Sequence, residues 1–461
     1  MKLVLVLAAV LLLALVTAQP RWRPLALGGA FLVRIGIPSV AFSGSSFAGL
    51  HIATLLVLAY ALVWPSVARN ADSNGQNRQP QIPILCHAIM VVVAAGTVIM
   101  SDSSSAAMYA ATLTLNQLVA PYIFCMLIYK TSQHNASVHE SAGKLFAAVC
   151  VIEALIAIAV LNKILSQPFE KWYAYNYWWS VIGDRQVATL DHPLCLGLLL
   201  AAGIPMVAYF DSALIAIFSF GTIIVGVGLT QSRISAAMAV IGIIYLCTYG
   251  AKSDSRRLGA IAIGIIGFAT ALNLGVFSSL SDRISNDHGS SLARTQSWQF
   301  FLDSWSDFGT VGVGMESSKD YFIQSGLRAS GESAAVAYAV GIGIPLTLLY
   351  LGLMVWMIGY GLRKSNRLTP ASVAAIVTFI SIQLFSSIST ESAVGMIMWA
   401  TIGISLASPR TRSLSPVCVT DPDRTTAARR LDGNIPTAVW SPAGGRFSTQ
   451  PEHTPVAYRR Y

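Results

Sequence analysis

Long apolar blocks separated by short polar connections make up most of this chain. A helix needs about 17 to 25 mainly apolar residues to cross the hydrocarbon core of a bilayer. Twelve or thirteen blocks qualify. The clearer ones run over 47–65, 84–101, 105–129, 145–163, 194–210, 212–230, 234–250, 258–277, 334–360, 369–388 and 391–407. Residues 2–19 form a further span; Val16-Thr17-Ala18 fits a signal-peptide cleavage rule, but an uncleaved first helix is the expectation. Block 24–41 contains Arg34, and whether it spans decides between twelve helices and thirteen. The pattern predicts an all-α polytopic membrane protein.

Composition agrees with the pattern. Of 461 residues, 54% are hydrophobic and 11% charged, with a mean hydropathy of +0.61, more apolar surface than a soluble globular fold requires. The six cysteines are scattered, five of them in apolar blocks, and form neither a disulfide framework nor a metal-ligand spacing. His51 and His87 lie in apolar blocks and read as satisfied interior residues.

Charge orients the blocks, because cytoplasmic connections collect Lys and Arg. The connections 251–257 (Lys252, Arg256, Arg257) and 363–367 (Arg363, Lys364, Arg367) are expected inside. The segment 408–461 has eight arginines against four acids and reads as a disordered basic cytoplasmic tail after a transmembrane domain at 1–407. Segment 278–333 holds four basic and seven acidic residues and is expected outside as a large loop. Counting back puts the loop 164–193 and the turn 230–233 on that same external face.

Arg233 follows Thr230-Gln231-Ser232 between two apolar blocks, in the first turn of the second. The positive end of a helix dipole disfavours a cation there by about 0.3–1 kcal/mol, so an anion is the natural partner. Two other external arginines have similar settings. Arg185 closes a loop rich in Trp and Tyr (172–179), and Arg294, after Arg283, opens a stretch with Trp298, Phe301 and Trp305. Guanidinium groups bind phosphate oxygens bidentately, so three on one face suit a diphosphate at headgroup level. Each also has an ordinary reading: boundary arginines snorkel or pair with local acids, here Asp184 and Asp282, and the aromatics serve as interfacial anchors. Glu332, at the mouth of the block beginning near 334, is placed to act as a general base; alternatively it and Ser333 form an ordinary helix start. The Gly312-Val313-Gly314 run is a weak candidate for close backbone approach to a phosphate.

These features, in order, resemble the bacterial O-antigen ligase and O-antigen (exopolysaccharide) polymerase superfamily. They are an arginine before a helix (Arg185), Ser232-Arg233 at a tight turn, Arg294 with Trp298, Gly312 to Gly314, then Glu332-Ser333 ahead of Gly341 and Gly343. The resemblance covers roughly residues 145–360. It implies a GT-C type membrane glycosyltransferase working on the outer face of the bacterial inner membrane without metal, nucleotide or other cofactor. The donor would be an undecaprenyl-diphosphate-linked glycan and the acceptor a saccharide hydroxyl. It assigns Arg185, Arg233 and Arg294 to the diphosphate and Glu332 to the acceptor proton, with Arg283, Trp298, Gly312, Gly314 and Ser333 in support. It leaves room for a chain-length regulator as partner and gives no role to nucleic acid.

The chain departs from the family in two places. The ligases carry a histidine followed by Asn or Ser where this chain has Glu332-Ser333, and the small residue after "SR" is Ile234 here. Glutamate performs the same proton abstraction, which favours a polymerase of a surface or exported polysaccharide over a ligase to a lipid A core. From other classes, a transporter or lipid-linked glycan flippase would place ionisable groups within its spans; Arg34 is the main one noted, and no internal repeat is visible.

Overall fold

Within lipid a backbone must satisfy its own polar groups, so apolar blocks of this kind become helices. In the computed structural model of the protein every regular element among the described residues is helical. The described residues are 10–14, 16, 17, 19, 21–42, 49–68, 82–100, 104–135, 137–174, 179, 183–250, 258, 259, 261, 262, 288–327, 333–384 and 393–409. The helices are α1 Arg23–Gly36, α2 Ile52–Ala68, α3 Ile84–Ile99, α4 Ser104–Thr114, α5 Ala120–His134, α6 Val138–Leu161, the short α7 Glu170–Tyr173 and α8 Pro193–Met206. They continue as α9 Ala213–Leu229, α10 Arg233–Tyr245, α11 His288–Phe308, α12 Ser318–Gln324, α13 Ala334–Ile342, α14 Ile344–Ser365, α15 Pro370–Ile382 and α16 Val394–Ala407.

Among the described residues, four helical stretches are long and apolar enough to cross a membrane: Ala106–Gln133, Val138–Leu161, Arg233–Gly250 and Ile344–Ser365. Six shorter apolar helices accompany them, including α3, α8, α9, α15 and α16. All of the expected block 258–277 except residues 258, 259, 261 and 262, and the tail from 410, lie outside the described residues. Block 24–41 yields only the 14 residues of α1, about 21 Å of helix against a core about 30 Å thick.

A helix that is apolar on every side belongs in the interior. α8 and α16 are such helices, and almost every residue of each is buried. α8 packs among α6, α9, α10 and α15, while α16 runs along α5. Small residues let neighbours approach: a Cβ on Gly203 of α8 would lie 2.4 Å from Cys150 Sγ of α6.

The block expected as one span over 334–360 is two helices. Gly343 has φ +83 and separates α13 from α14. The 22 residues of α14 suffice to cross a membrane without α13. α13 instead packs with α11 and α12 around a small core of its own, made by Phe308, Phe322, Leu327, Val336 and Val340.

A second departure is the bulge of five π-helical residues, Leu115–Val119, between α4 and α5. It presents Asn116, whose Oδ1 accepts from His51 N (3.1 Å) and Thr54 Oγ1 (2.7 Å) and whose Nδ2 donates to Gly49 O (2.9 Å). The start of α2 is thereby fastened to the middle of another helix. His51 Nδ1 also accepts from Ala53 N, and His87 Nδ1 pairs with Tyr122 Oη at 2.6 Å. Both histidines are hydrogen-bonded, as the sequence suggests, with His51 fully buried and His87 half-buried.

Candidate functional site

Arg233 begins α10. The chain turns into that helix through Gln231, whose φ of +48 reverses direction within one residue. Ser232 then caps the helix, its Oγ accepting from Ser235 N at 3.2 Å. Thr230 steadies the turn by donating to Val227 O and accepting from Ser232 N. Arg233 is left half-buried at the positive end of the helix, with no acidic residue in the first turn.

The loop that carries Arg185 docks onto this turn. Arg185 Nε donates to Thr230 O at 2.9 Å across 45 positions of chain, and Gln186 N donates to Leu229 O at 3.1 Å. Arg185 and Arg233 therefore meet at one turn. The loop's own rigidity comes from below. Thr189 N and Oγ1 both donate to the carboxylate of Glu153 in α6, at 3.1 and 2.7 Å. Asp191 Oδ1 accepts from Ser39 N at 2.6 Å, and Arg34 Nη1 donates to Ser39 Oγ at 2.9 Å. Tyr173 Oη donates to Leu190 O at 2.8 Å.

Glu153 is the residue that sequence reading passed over. It is 3% exposed, and a buried carboxylate is tolerated only with hydrogen-bond donors. Its donors come from a loop 36 positions away, so nothing local in the sequence marks it. Tyr173 likewise proves to be a buried support rather than a surface aromatic, while Trp172 is 44% exposed.

His192 closes the loop and caps α8. Its Nδ1 accepts from Leu194 N at 3.1 Å, and Pro193 occupies the first helical position. Burial and the neighbouring Arg185 charge push its pKa down to about 3. The folded protein thus holds a neutral imidazole that the unfolded chain protonates near pH 6.5. That contribution to stability is complete above about pH 6.5 and is lost as pH falls toward 3. Melting temperature is expected to drop between pH 7.5 and 5, and His192→Asn, which keeps a capping acceptor but does not titrate, should show a flatter profile. An unchanged slope in the variant would assign the pH dependence elsewhere.

The glycine run lies at a different place. Val313 N donates to Val340 O (2.8 Å), Gly314 N to Gly341 O (3.0 Å) and Ile344 N to Gly309 O (3.0 Å). The run thus follows the broken end of α13, with two of its amides turned inward to that helix. Ser333 is at the opposite end of α13, about 12 Å along the axis from Gly341. It has N-cap backbone angles, φ −149 and ψ 137, but its buried hydroxyl makes no capping bond. Glu316 folds its carboxylate back over Gly314, where a Cβ would lie 2.7 Å from Oε1. Both its oxygens are shielded and meet no hydrogen-bond donor among the described residues.

Comparison with family models, curated proteins and solved structures finds no match. The site is therefore read from its own residues. Arg294 lies in α11, with its side chain outside the described residues, as are Glu332 and Arg283 altogether. Trp298 in α11 is 46% exposed and meets Phe301 edge-on at 5.8 Å. Among the described residues no group of three His, Cys, Asp or Glu side chains is arranged to hold a metal.

Proposed function

We propose that the protein is a polyprenyl-diphosphate-dependent membrane glycosyltransferase of the O-antigen ligase and polymerase type, extending a surface or exported polysaccharide. The observation that carries this reading is the convergence of Arg185 and Arg233 on the Thr230 turn. Two guanidinium groups on a braced corner suit an anion with several phosphate oxygens. The order of motifs along the chain supports the same reading, as does the clustering of Arg363, Lys364 and Arg367 at the far end of α14. That end faces the cytoplasm in this proposal, with twelve or thirteen spans in the bacterial inner membrane and the arginine corner outside.

In the proposed reaction the arginines, with Arg294, hold the donor diphosphate. Glu332 takes the proton from an acceptor sugar hydroxyl, whose oxygen attacks the anomeric carbon. The bond to the lipid diphosphate breaks as the new glycosidic bond forms, inverting that carbon. Expelling a diphosphate creates charge that fixed cations stabilise.

The test is transfer by the purified protein from a radiolabelled undecaprenyl-diphosphate oligosaccharide. Longer lipid-linked glycans with inverted linkages are expected, with loss of product in Glu332→Gln and retention of donor binding. Glu316→Gln, run beside it, identifies which carboxylate takes the proton. Transfer only to a lipid A core acceptor would make the protein a ligase. Donor binding without product from any acceptor would overturn the enzyme reading in favour of a flippase.

A further inference from the structure

A groove of about 350 Å³ runs between α1, α5, α6 and α16, away from the arginine corner. Along α1 it is lined from Pro24 to Leu32, about 12 Å of helix. Ile128, Leu145 and Ile404 form part of its walls. Its floor is aromatic, with Phe31 stacked on Phe124 and Phe146 at 6.2 and 5.3 Å between ring centres.

Two glycines shape the α1 side. Gly28 and Gly29 lie inside a helix, where each costs about 1 kcal/mol relative to alanine. An added Cβ at Gly29 would meet nothing within 4 Å. The space beside it is open, and helix propensity is given up where that space lies.

The lip of the groove has a different chemistry. Arg21, Trp22 and Arg23 immediately precede Pro24. Arg21 lies over the Trp22 ring at 5.4 Å, Trp22 is 42% exposed, and Arg23 is buried. Arginine beside tryptophan at a helix end is the composition of a headgroup boundary. Basic residues also mark this end elsewhere: Lys364 donates to Leu406 O at 2.6 Å and sits over the Tyr129 ring, one position beyond the groove residue Ile128.

We propose that this groove is a binding site for one anionic glycerophospholipid, its acyl chain along Gly28 and Gly29 and its phosphate against the exposed Arg21. A peptide segment does not fit. Apart from the Ser141 residue the lining is apolar or glycine, so a peptide's backbone groups would be buried without partners. A long unbranched hydrocarbon chain has no such groups, and the Arg21 cation selects an anionic head. The site is independent of the glycosyl-transfer reading.

The experiment is lipid titration of the delipidated full-length protein in detergent, followed by native mass spectrometry. Phosphatidylglycerol, phosphatidylcholine and undecaprenyl phosphate are compared. One phosphatidylglycerol is expected to bind about fivefold more tightly than phosphatidylcholine, with Arg21→Ala removing that preference. Gly29→Leu, which places its side chain in the open groove, is expected to abolish binding with the melting temperature unchanged. Equal retention of phosphatidylglycerol in Gly29→Leu overturns the site. Equal affinity for the two phospholipids overturns the headgroup assignment, and preference for undecaprenyl phosphate replaces the proposed occupant with a polyprenyl lipid.

Discussion

Arg233→Ala is expected to lower transfer from the polyprenyl diphosphate donor by about 10²–10³-fold, the usual effect of removing one fixed charge-stabilising group. The same substitution removes an unfavourable dipole interaction together with the side chain's own contacts, so only a small change in melting temperature is expected beside the large loss of activity. Arg233 occupies the first position of α10, and a cation there opposes the helix dipole by about 0.3–1 kcal/mol. The Ser232 cap and the Thr230 contacts do not involve its side chain. A loss of activity far larger than any change in stability separates a role toward the donor from a structural one. Arg233→Lys keeps the charge but loses the planar fork, so it should recover only part of the activity. Arg185→Ala differs because it also removes the bond to Thr230 O, loosening the turn that presents Arg233. The double variant is expected to lose less than the product of the single losses, since in the proposed reaction both groups hold one diphosphate. Wild-type turnover in Arg233→Ala would remove the diphosphate corner from the mechanism.

Gly312→Ala is expected to detach the 309–316 segment from the broken end of α13. A Cβ on Gly312 would lie 2.4 Å from the carbonyl carbon and oxygen of Gly341 and 2.5 Å from Ile342 N. These are backbone atoms of a buried helix end, so no side chain can swing aside. The segment must move, straining its bonds from Val313 N and Gly314 N to α13. Overpacking costs about 1–3 kcal/mol and each lost hydrogen bond about 1 kcal/mol more. A fall in melting temperature and faster amide exchange at 309–316 are the expected readouts. Gly359→Ala is the control: it lies inside α14, where an added Cβ meets nothing within 4 Å, and should stabilise slightly. Equal melting of Gly312→Ala and wild type would contradict the packing described here.

The break at Gly343 shows where local pattern stops being informative. "VGIGIPL" continues an apolar run, and a run of that kind fits an uninterrupted span as readily as a broken one. Only the pairing of 309–316 with α13, including Ile344 N to Gly309 O, reveals the interruption. Glu153 was hidden for a related reason. A single acid in an apolar block acquires its role from Thr189, and the pairing depends on how the 183–192 loop returns to the bundle.

The arginines illustrate both sides. Their residue types and the tight turn before Arg233 were legible, because turn chemistry is local and depends on neighbouring residues; the Ser232 cap was not read from the sequence. That the bulk of the chain is helical was legible too, since apolar length alone forces the backbone to bond within itself in lipid. The meeting of Arg185 with the Thr230 turn, the split of α13 from α14 and the open groove beside Gly29 were decided by tertiary structure. Each depends on which surfaces touch across tens of residues, and contact of that kind is set by the packing of whole helices rather than by the residues next to it in the chain.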